Sequence, residues 1–404
     1  MKNRLWTFIG SRTGVIAVRR SGLPLLALLL LACSDSATDP TADDAADDKA
    51  AIRAALLIDP DALPSYVRDP LPAFYDANIL AREDRTIGAP ITDAGVTLGR
   101  VLFYERQLSR TGTVSCASCH ASATAFGDTA RFSRGFEGAL TTAHSMRLVN
   151  GRFNQDGRTF WDKRAPTLEA QTTQPIQDSG EMGFDAAHGG LTAALTRLAG
   201  LPYYPPLVRL AFGDSMITAD RVQRALAQYV RAIISTRSRW DVAAAQVFNP
   251  ANPAASINGP FPGFTAEEQL GKQVFQGSGC AACHTPPSFS LSGASRSNGL
   301  DEGETRIFRS PSLKHVARGS RFMHDGRFTS LEQVVEFYDS GVQAGPALDP
   351  RLMVPPLVPG GPPSGIPRRL NLTGAEKAGL VAFLRTLNDD ALAADVRFSD
   401  PFRR

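Results

Sequence analysis

Two copies of one pentapeptide, Cys116-Ala-Ser-Cys119-His120 and Cys280-Ala-Ala-Cys283-His284, carry the residue types and spacing of a c-type haem attachment site. Two cysteines one turn apart can form thioethers to the vinyl groups of one porphyrin, and the adjacent histidine offers an imidazole nitrogen to the iron. A structural zinc site or a disulfide would draw on the same C-x-x-C pairs. Haem is favoured because both copies carry the histidine, the chain opens with an export signal, and no further cysteine or His-x-x-x-His pair completes a zinc set. Two covalently bound c-type haems are expected, with His120 on one iron and His284 on the other.

The export signal consists of basic residues at Lys2, Arg4, Arg12, Arg19 and Arg20, the apolar run from Leu23 to Leu31, and then Ala32-Cys33. The run is shorter than the ~20 residues that cross a bilayer. Leu30-Leu31-Ala32-Cys33 resembles a bacterial lipoprotein box ending residues 1–33, with lipid added to Cys33. Cleavage near Ser34 to Thr38 by an ordinary signal peptidase is the alternative, and both put the mature chain on the periplasmic side of a bacterial membrane. Residues 34 to about 55 are rich in Asp, Ala, Thr and Ser, too poor in large apolar side chains to bury themselves. A flexible tether and N-terminal extension over 34–80 is expected. A net charge of +3 is too small to argue for nucleic acid.

The elements that must position the haem motifs are helical. Ala219 to Trp240 repeats apolar residues at Val222, Leu226, Tyr229, Val230 and Ile233, and Asp93 to Glu105 and the stretch after Thr265-Ala-Glu-Glu268 form helices ahead of the two motifs. Thr373-Gly-Ala-Glu376 caps a further helix from Lys377 to Leu387. The motifs lie 164 residues apart, with a junction dense in Pro and Gly between Asn249 and Phe264. The expected fold is mainly α, with two cytochrome c-like domains over 81–250 and 251–404 and long irregular loops around the haems.

Several ordered motifs extend this reading: Leu98-Gly-Arg-Val-Leu-Phe103, Leu108-Ser-Arg-Thr-Gly112, Phe160-Trp-Asp-Lys-Arg-Ala165, Glu181-Met182-Gly183 and Phe322-Met-His-Asp-Gly326. Together with the haem sites, from about residue 90 to 390, the chain resembles the bacterial dihaem cytochrome c peroxidase and MauG family, nearest in ligand pattern to its MauG and MbnH-like members. The resemblance implies that Trp161 lies between the haems, with Gln171 and Glu181 in the distal pocket of the first, each ten residues after the last. A carboxylate there can take a proton from bound peroxide and return it to the leaving oxygen, and an amide can hydrogen-bond without titrating.

Two positions depart from the ordinary peroxidases. Where they carry a distal histidine in a Ser-x-Gly-His loop, this chain reads Ser133-Arg134-Gly135-Phe136, and phenylalanine cannot bind iron. The first haem is then open for peroxide, with His144, eight residues on, as the rival ligand. Fourteen residues after His324, where peroxidases place an axial methionine, stands Tyr338, as in MauG; Met323 and Met353 are the alternatives nearby. Phenolate stabilises oxidised iron, whereas a thioether favours the ferrous state. The family's calcium ion would be held by carbonyls of Gly319 and Arg321, with His144 in place of the family's asparagine, a poor ligand for a hard cation. His188 and His315 read as surface or structural histidines, and Asp325 as a residue that orients the His324 imidazole.

The resemblance implies a peroxide-dependent oxidase that forms a high-valent dihaem state and oxidises an aromatic residue, usually tryptophan, of a periplasmic partner protein. In MbnH-like members that partner binds copper. The alternatives are a peroxidase drawing electrons from a small cytochrome or copper protein, and a dihaem cytochrome that only transfers electrons.

Overall fold

The computed structural model describes residues 42–67, 70–84, 90–291, 293–356 and 358–404; the export segment and Cys33 lie outside them. Residues Ala42–Arg404 form one compact unit. Its regular structure is helical, and β-pairing among the described residues is limited to isolated bridges. The mainly α expectation is met.

Two hydrophobic cores organise the chain. The first gathers α1 (Ala42–Ala55), α2 (Asp93–Tyr104), α3 (Cys116–Cys119, the first haem motif), α5 (Tyr204–Phe212) and α6 (Ala219–Ala232), with Phe398 of the C-terminal segment packed among them and α4 (Leu168–Thr172) laid on the side of α6 through Leu168, Ala227 and Val230. The second is built on α7 (Ala266–Gly277), α8 (Leu331–Glu336) and α9 (Gly374–Arg385), around Trp240 and Phe289. Thr265 and Glu268 form a reciprocal capping box at the start of α7, as do Thr373 and Glu376 at the start of α9.

Each core is closed by one helix crossing at backbone contact. A Cβ on Gly99 of α2 would lie 2.0 Å from the Ala225 carbonyl oxygen of α6, and one on Gly271 of α7 would lie 1.8 Å from that of Gly379 in α9. The surrounding sequences, Leu98-Gly-Arg-Val-Leu-Phe103 and Leu270-Gly-Lys-Gln-Val-Phe275, are versions of one pattern. Each glycine lets the helix before a haem motif seat against its partner. Gly271→Ala should cost about 1–3 kcal/mol despite alanine's better helix propensity, because the clash is with backbone and must move a helix. Urea unfolding of the holoprotein would read this as a lower midpoint at unchanged slope.

Three expectations are corrected. The Asp/Ala-rich segment is not a tether throughout: residues 42–55 are helical, with Ile52 and Leu56 buried in the first core and Asp48 ion-paired to Arg209. Alanine's helix propensity and two apolar anchors outweigh the polar composition. The helix read from Ala219 to Trp240 stops at Ala232, because Asn150 binds the turn that follows: its N–H donates to Ile233 and its Oδ1 accepts from Ser235. A second helix, Arg239–Val247, then starts at Ser238. Within the Pro/Gly-rich segment, Pro253–Asn258 is helical, with proline in the first turn where its missing N–H costs nothing.

Candidate functional site

Cys116 and Cys119 sit on α3, capped by Ser115, and the chain then turns so that His120 Nδ1 donates to the Phe126 carbonyl at 2.9 Å. That bond fixes the tautomer and leaves Nε2 as the ligating nitrogen. Burial lowers the pKa of both motif histidines, His284 to about 4, so each imidazole is neutral as a ligand must be. His284 Nδ1 is buried without a hydrogen bond of full geometry, although the Phe289 and Pro311 carbonyls lie beside it. Burial pushes the Cys116 thiol up to about 12 and Cys280 to about 11. Among the described residues no three His, Cys, Asp or Glu side chains converge as a metal cluster, so the zinc alternative lacks its donor set.

The second motif opens into a cavity lined by His284, Cys280, Cys283, Tyr338, Met323 and Trp161. Tyr338 sits on a π-helical turn, Phe337–Gly341, that continues α8; such turns recur at functional sites. Its hydroxyl accepts from Asn298 Nδ2 at 3.4 Å, and burial raises its pKa to about 12. The same Asn298 nitrogen lies 3.4 Å from Met323 Sδ. Tyr338 and Met323 therefore share one corner of the cavity, whereas Met353 lies behind them, in the small buried cluster with Phe337 and Leu348 against which both pack, and does not line the cavity. Arg147, Arg309 and Arg368 also line this space, and Nε of each is buried with no hydrogen-bond partner. None of the ion pairs among the described residues joins them to a carboxylate. A haem fits such a wall, because its propionates are the anions these guanidiniums lack.

Trp161 projects from a tight loop closed by the Thr159–Ala165 bridge, with Phe160 and Lys163 in left-handed conformations. Its indole Nε1 donates to the His144 carbonyl at 2.7 Å, and its own carbonyl accepts from Arg309 at 2.8 Å. The ring lies 6.5 Å from that of His324, which stacks on Phe308 at 4.1 Å. Arg164, on the same loop, caps the Phe160 ring at 3.5 Å and acts electrostatically on Glu181. One loop thus reaches the second cavity with its tryptophan and Glu181 with its arginine.

Glu181 is held by Asp178, whose Oδ1 accepts from the Gly180 and Glu181 N–H groups. Burial, then the Asp178 charge, raises the Glu181 pKa, while Arg164 lowers it. Glu181 is within electrostatic reach of both Cys116 and Cys119, which sets it beside the first haem motif. Phe136 is pinned to the same turn: its N–H donates to the Glu181 carbonyl at 3.0 Å, and its ring covers Gly183, where a Cβ would meet it at 2.4 Å. Gln171 is half-buried on α4, one short helix before Asp178. His144 is buried, its Nδ1 3.2 Å from the Ala130 carbonyl and its N–H bonded to the His324 carbonyl, so the loop holding it is tied to the second cavity's edge.

At the site expected for calcium an arginine binds one of the two carbonyls. The Arg321 carbonyl accepts from Arg147 Nη1 at 3.3 Å, and a Cβ on Gly319 would lie 2.9 Å from the same nitrogen. A guanidinium stands at one of the carbonyls that a dication would need, and His144 turns its Nδ1 to Ala130. Arg147 thus takes up one of the two carbonyls expected to hold calcium, that of Arg321, and brings a positive charge to the place expected for the ion. Dialysis against a calcium chelator should leave the holoprotein's absorption and peroxide reaction unchanged, and chelator-sensitive reactivity would reverse the assignment. The reading of Asp325 is corrected. Its carboxylate binds Arg327 at 2.7 Å and Arg131 at 3.3 Å, not the His324 ring. His188 pairs with Asp185 on the surface, and His315 is buried with Nδ1 accepting from Asp389, both structural.

A helical chain with two C-x-x-C-H sites, each imidazole buried and neutral, is a dihaem c-type cytochrome. The family described as di-haem cytochrome c peroxidase matches residues 93–247. The methylamine utilization protein MauG of Methylorubrum extorquens is 30% identical over 321 residues, 75% of this chain and 81% of that one. Cytochrome c551 peroxidase of Nitrosomonas europaea is 27% identical over 256 residues, 59% of this chain and 71% of that one. The crystal structure of a MauG-like protein associated with microbial copper homeostasis matches with a TM-score of 0.63 and 26% identity, covering 84% of this chain and 98% of that one. The chain belongs to the dihaem cytochrome c peroxidase and MauG family, and is a peroxide-dependent dihaem oxidoreductase.

Proposed function

We propose that the chain is a MauG-type oxidase on the periplasmic side of a bacterial membrane, tethered through Cys33, with one haem in each of two cytochrome c-like domains (81–250 and 251–404). Its substrate is an aromatic side chain, tryptophan foremost, of a partner protein. The likeness to a MauG-like protein associated with copper homeostasis supports a copper-binding partner. No helix among the described residues is long and apolar enough to cross a membrane. When bound, the haems supply an iron that reacts with peroxide and a second that shares the oxidising equivalents.

The residues of the chain do the rest. His120 and His284 present neutral imidazoles. Glu181, as general base and then acid, takes a proton from peroxide and returns it to the departing oxygen, and Gln171 hydrogen-bonds beside it. Phe136 keeps a competing side-chain ligand out of that pocket. Trp161 conducts between the two sites, its indole hydrogen fixed by the His144 carbonyl.

The observation that carries this reading is Tyr338, an oxygen donor lining the His284 cavity close to both haem-binding cysteines. A second reading, a peroxidase fed electrons by a small donor protein, draws on Met323 in the same corner. Stoichiometric peroxide added to the fully ferric holoprotein separates them. Loss of both ferric EPR signals with a new near-infrared band supports the oxidase; reaction only after one haem is reduced supports the peroxidase, and inertness in both states leaves electron transfer alone.

A further inference from the structure

One cluster lies outside both the peroxide pocket and the path through Trp161. Glu105 ends α2 and is only 4% exposed. Its Oε2 accepts from the Tyr203 hydroxyl at 2.8 Å and from the Tyr204 hydroxyl at 3.0 Å. The two phenol rings are 4.9 Å apart, centroid to centroid. Tyr204 is fully buried and within electrostatic reach of Cys116, so it stands beside the first haem attachment site. Tyr203 is half-buried, with its ring 6.0 Å from that of Phe402 near the C-terminus. The pair therefore runs from the haem motif outward.

Burial and the Glu105 charge both raise the phenol pKa values, so each tyrosine keeps its proton at neutral pH. A phenol that loses an electron becomes a strong acid, and its oxidation is feasible in a protein interior only where a base waits at hydrogen-bond distance. Glu105 is such a base for both rings through one oxygen. Its other oxygen, Oε1, accepts from the Gln107 N–H at 2.8 Å and caps the following turn, which holds the carboxylate in place and leaves Oε2 to the two phenols.

We propose that Tyr204 and Tyr203, with Glu105 as their shared proton acceptor, carry oxidising equivalents from the His120 haem to the protein surface beside Phe402. The inference rests on the peroxide reaction proposed above. In the first step Tyr204 gives one electron to the oxidised haem and its hydroxyl proton to Glu105 Oε2, leaving a neutral phenoxyl radical and a carboxylic acid. In the second, Tyr203 gives one electron to Tyr204; Glu105 returns its proton to Tyr204 and takes the proton of Tyr203. An indole or phenol of a docked protein then gives one electron to Tyr203, which recovers its proton from Glu105. The triad ends as it began, and one electron has crossed. Each peroxide, reduced to water, takes two such electrons.

The test is freeze-quench EPR of ferric holoprotein mixed with one equivalent of peroxide, together with near-infrared absorption and spin-trap mapping by peptide mass spectrometry. A neutral tyrosyl signal that narrows with ring-deuterated tyrosine is expected, with the trap adduct on Tyr203. Tyr204→Phe should lose the signal. Tyr203→Phe should keep a radical on Tyr204 and lose the surface adduct. Glu105→Gln retains an acceptor oxygen but cannot take the proton, so it should lose the signal while circular dichroism stays native. An absorption change without a tyrosyl signal, or a signal unchanged in these variants, overturns the exit route and leaves the proposed oxidase standing. Absence of any change on adding peroxide to the ferric protein overturns both.

Discussion

Replacing Glu181 with glutamine should slow the reaction of the fully ferric holoprotein with peroxide by roughly 10²–10⁴-fold, the contribution of one positioned general acid/base. Glutamine keeps the size and one acceptor oxygen but cannot carry the proton. The pH profile offers a second reading of the same group. Glu181 must be ionised to act as base, and burial and Asp178 hold its pKa above that of an ordinary glutamate. The rate should fall as pH drops through that raised value and recover above it. Arg164 opposes the shift, so Arg164→Gln should move the midpoint to higher pH. Stopped-flow rates across pH check all three statements. A Glu181→Gln enzyme with the rate and profile of the parent would remove this residue from the chemistry.

Tyr338→Met should raise the reduction potential of the second haem by a few tenths of a volt, within the ~0.8 V that axial ligands span. An anionic oxygen stabilises ferric iron and a neutral thioether favours ferrous iron, so the sign follows from charge alone. The variant should also stop reacting in the fully ferric state and require one reduced haem, turning an oxidase into a peroxidase. Met323→Leu is the necessary companion, because Met323 shares the Asn298 contact with Tyr338. Redox titration of both variants decides the ligand: a shift in Met323→Leu with none in Tyr338→Met would give the iron to sulfur and the function to the second reading.

Much of this site can be read from the chain alone because the chemistry is written locally. The two C-x-x-C-H motifs fix haem within five residues each, and Thr265 to Glu268 and Thr373 to Glu376 mark helix starts by bonds made within one turn. Tyr338 stands fourteen residues after His324, where the family resemblance places an axial ligand, and it lines the cavity, although its π-helical turn has no sequence signature. What escaped depends on residues far apart. Glu105 meets Tyr203 across 98 positions, and Arg147 meets Arg321 across 174. Asn298 was likewise silent, a lone amide in a loop until Tyr338 and Met323 converge on it. The paired Leu-Gly patterns at Gly99 and Gly271 were a missed signal, since a glycine repeated inside two helices asks for a packing reason. The N-terminal helix misled for the opposite reason. Its composition is polar, and only the groove that receives Ile52 and Leu56 makes it fold.

The arginines around the second cavity also bear on how the protein matures. Arg147, Arg309 and Arg368 bond only backbone carbonyls through their terminal nitrogens and leave Nε without a partner, so a porphyrin's propionates would bring this wall its counter-charges. Covalent attachment of haem requires open access to the cysteines, and exported chains cross the membrane unfolded. A wall whose guanidiniums gain counter-charges only with the porphyrin would be more stable after attachment than before it. The residues that would bind the cofactor would thereby couple its attachment to the stability of the fold.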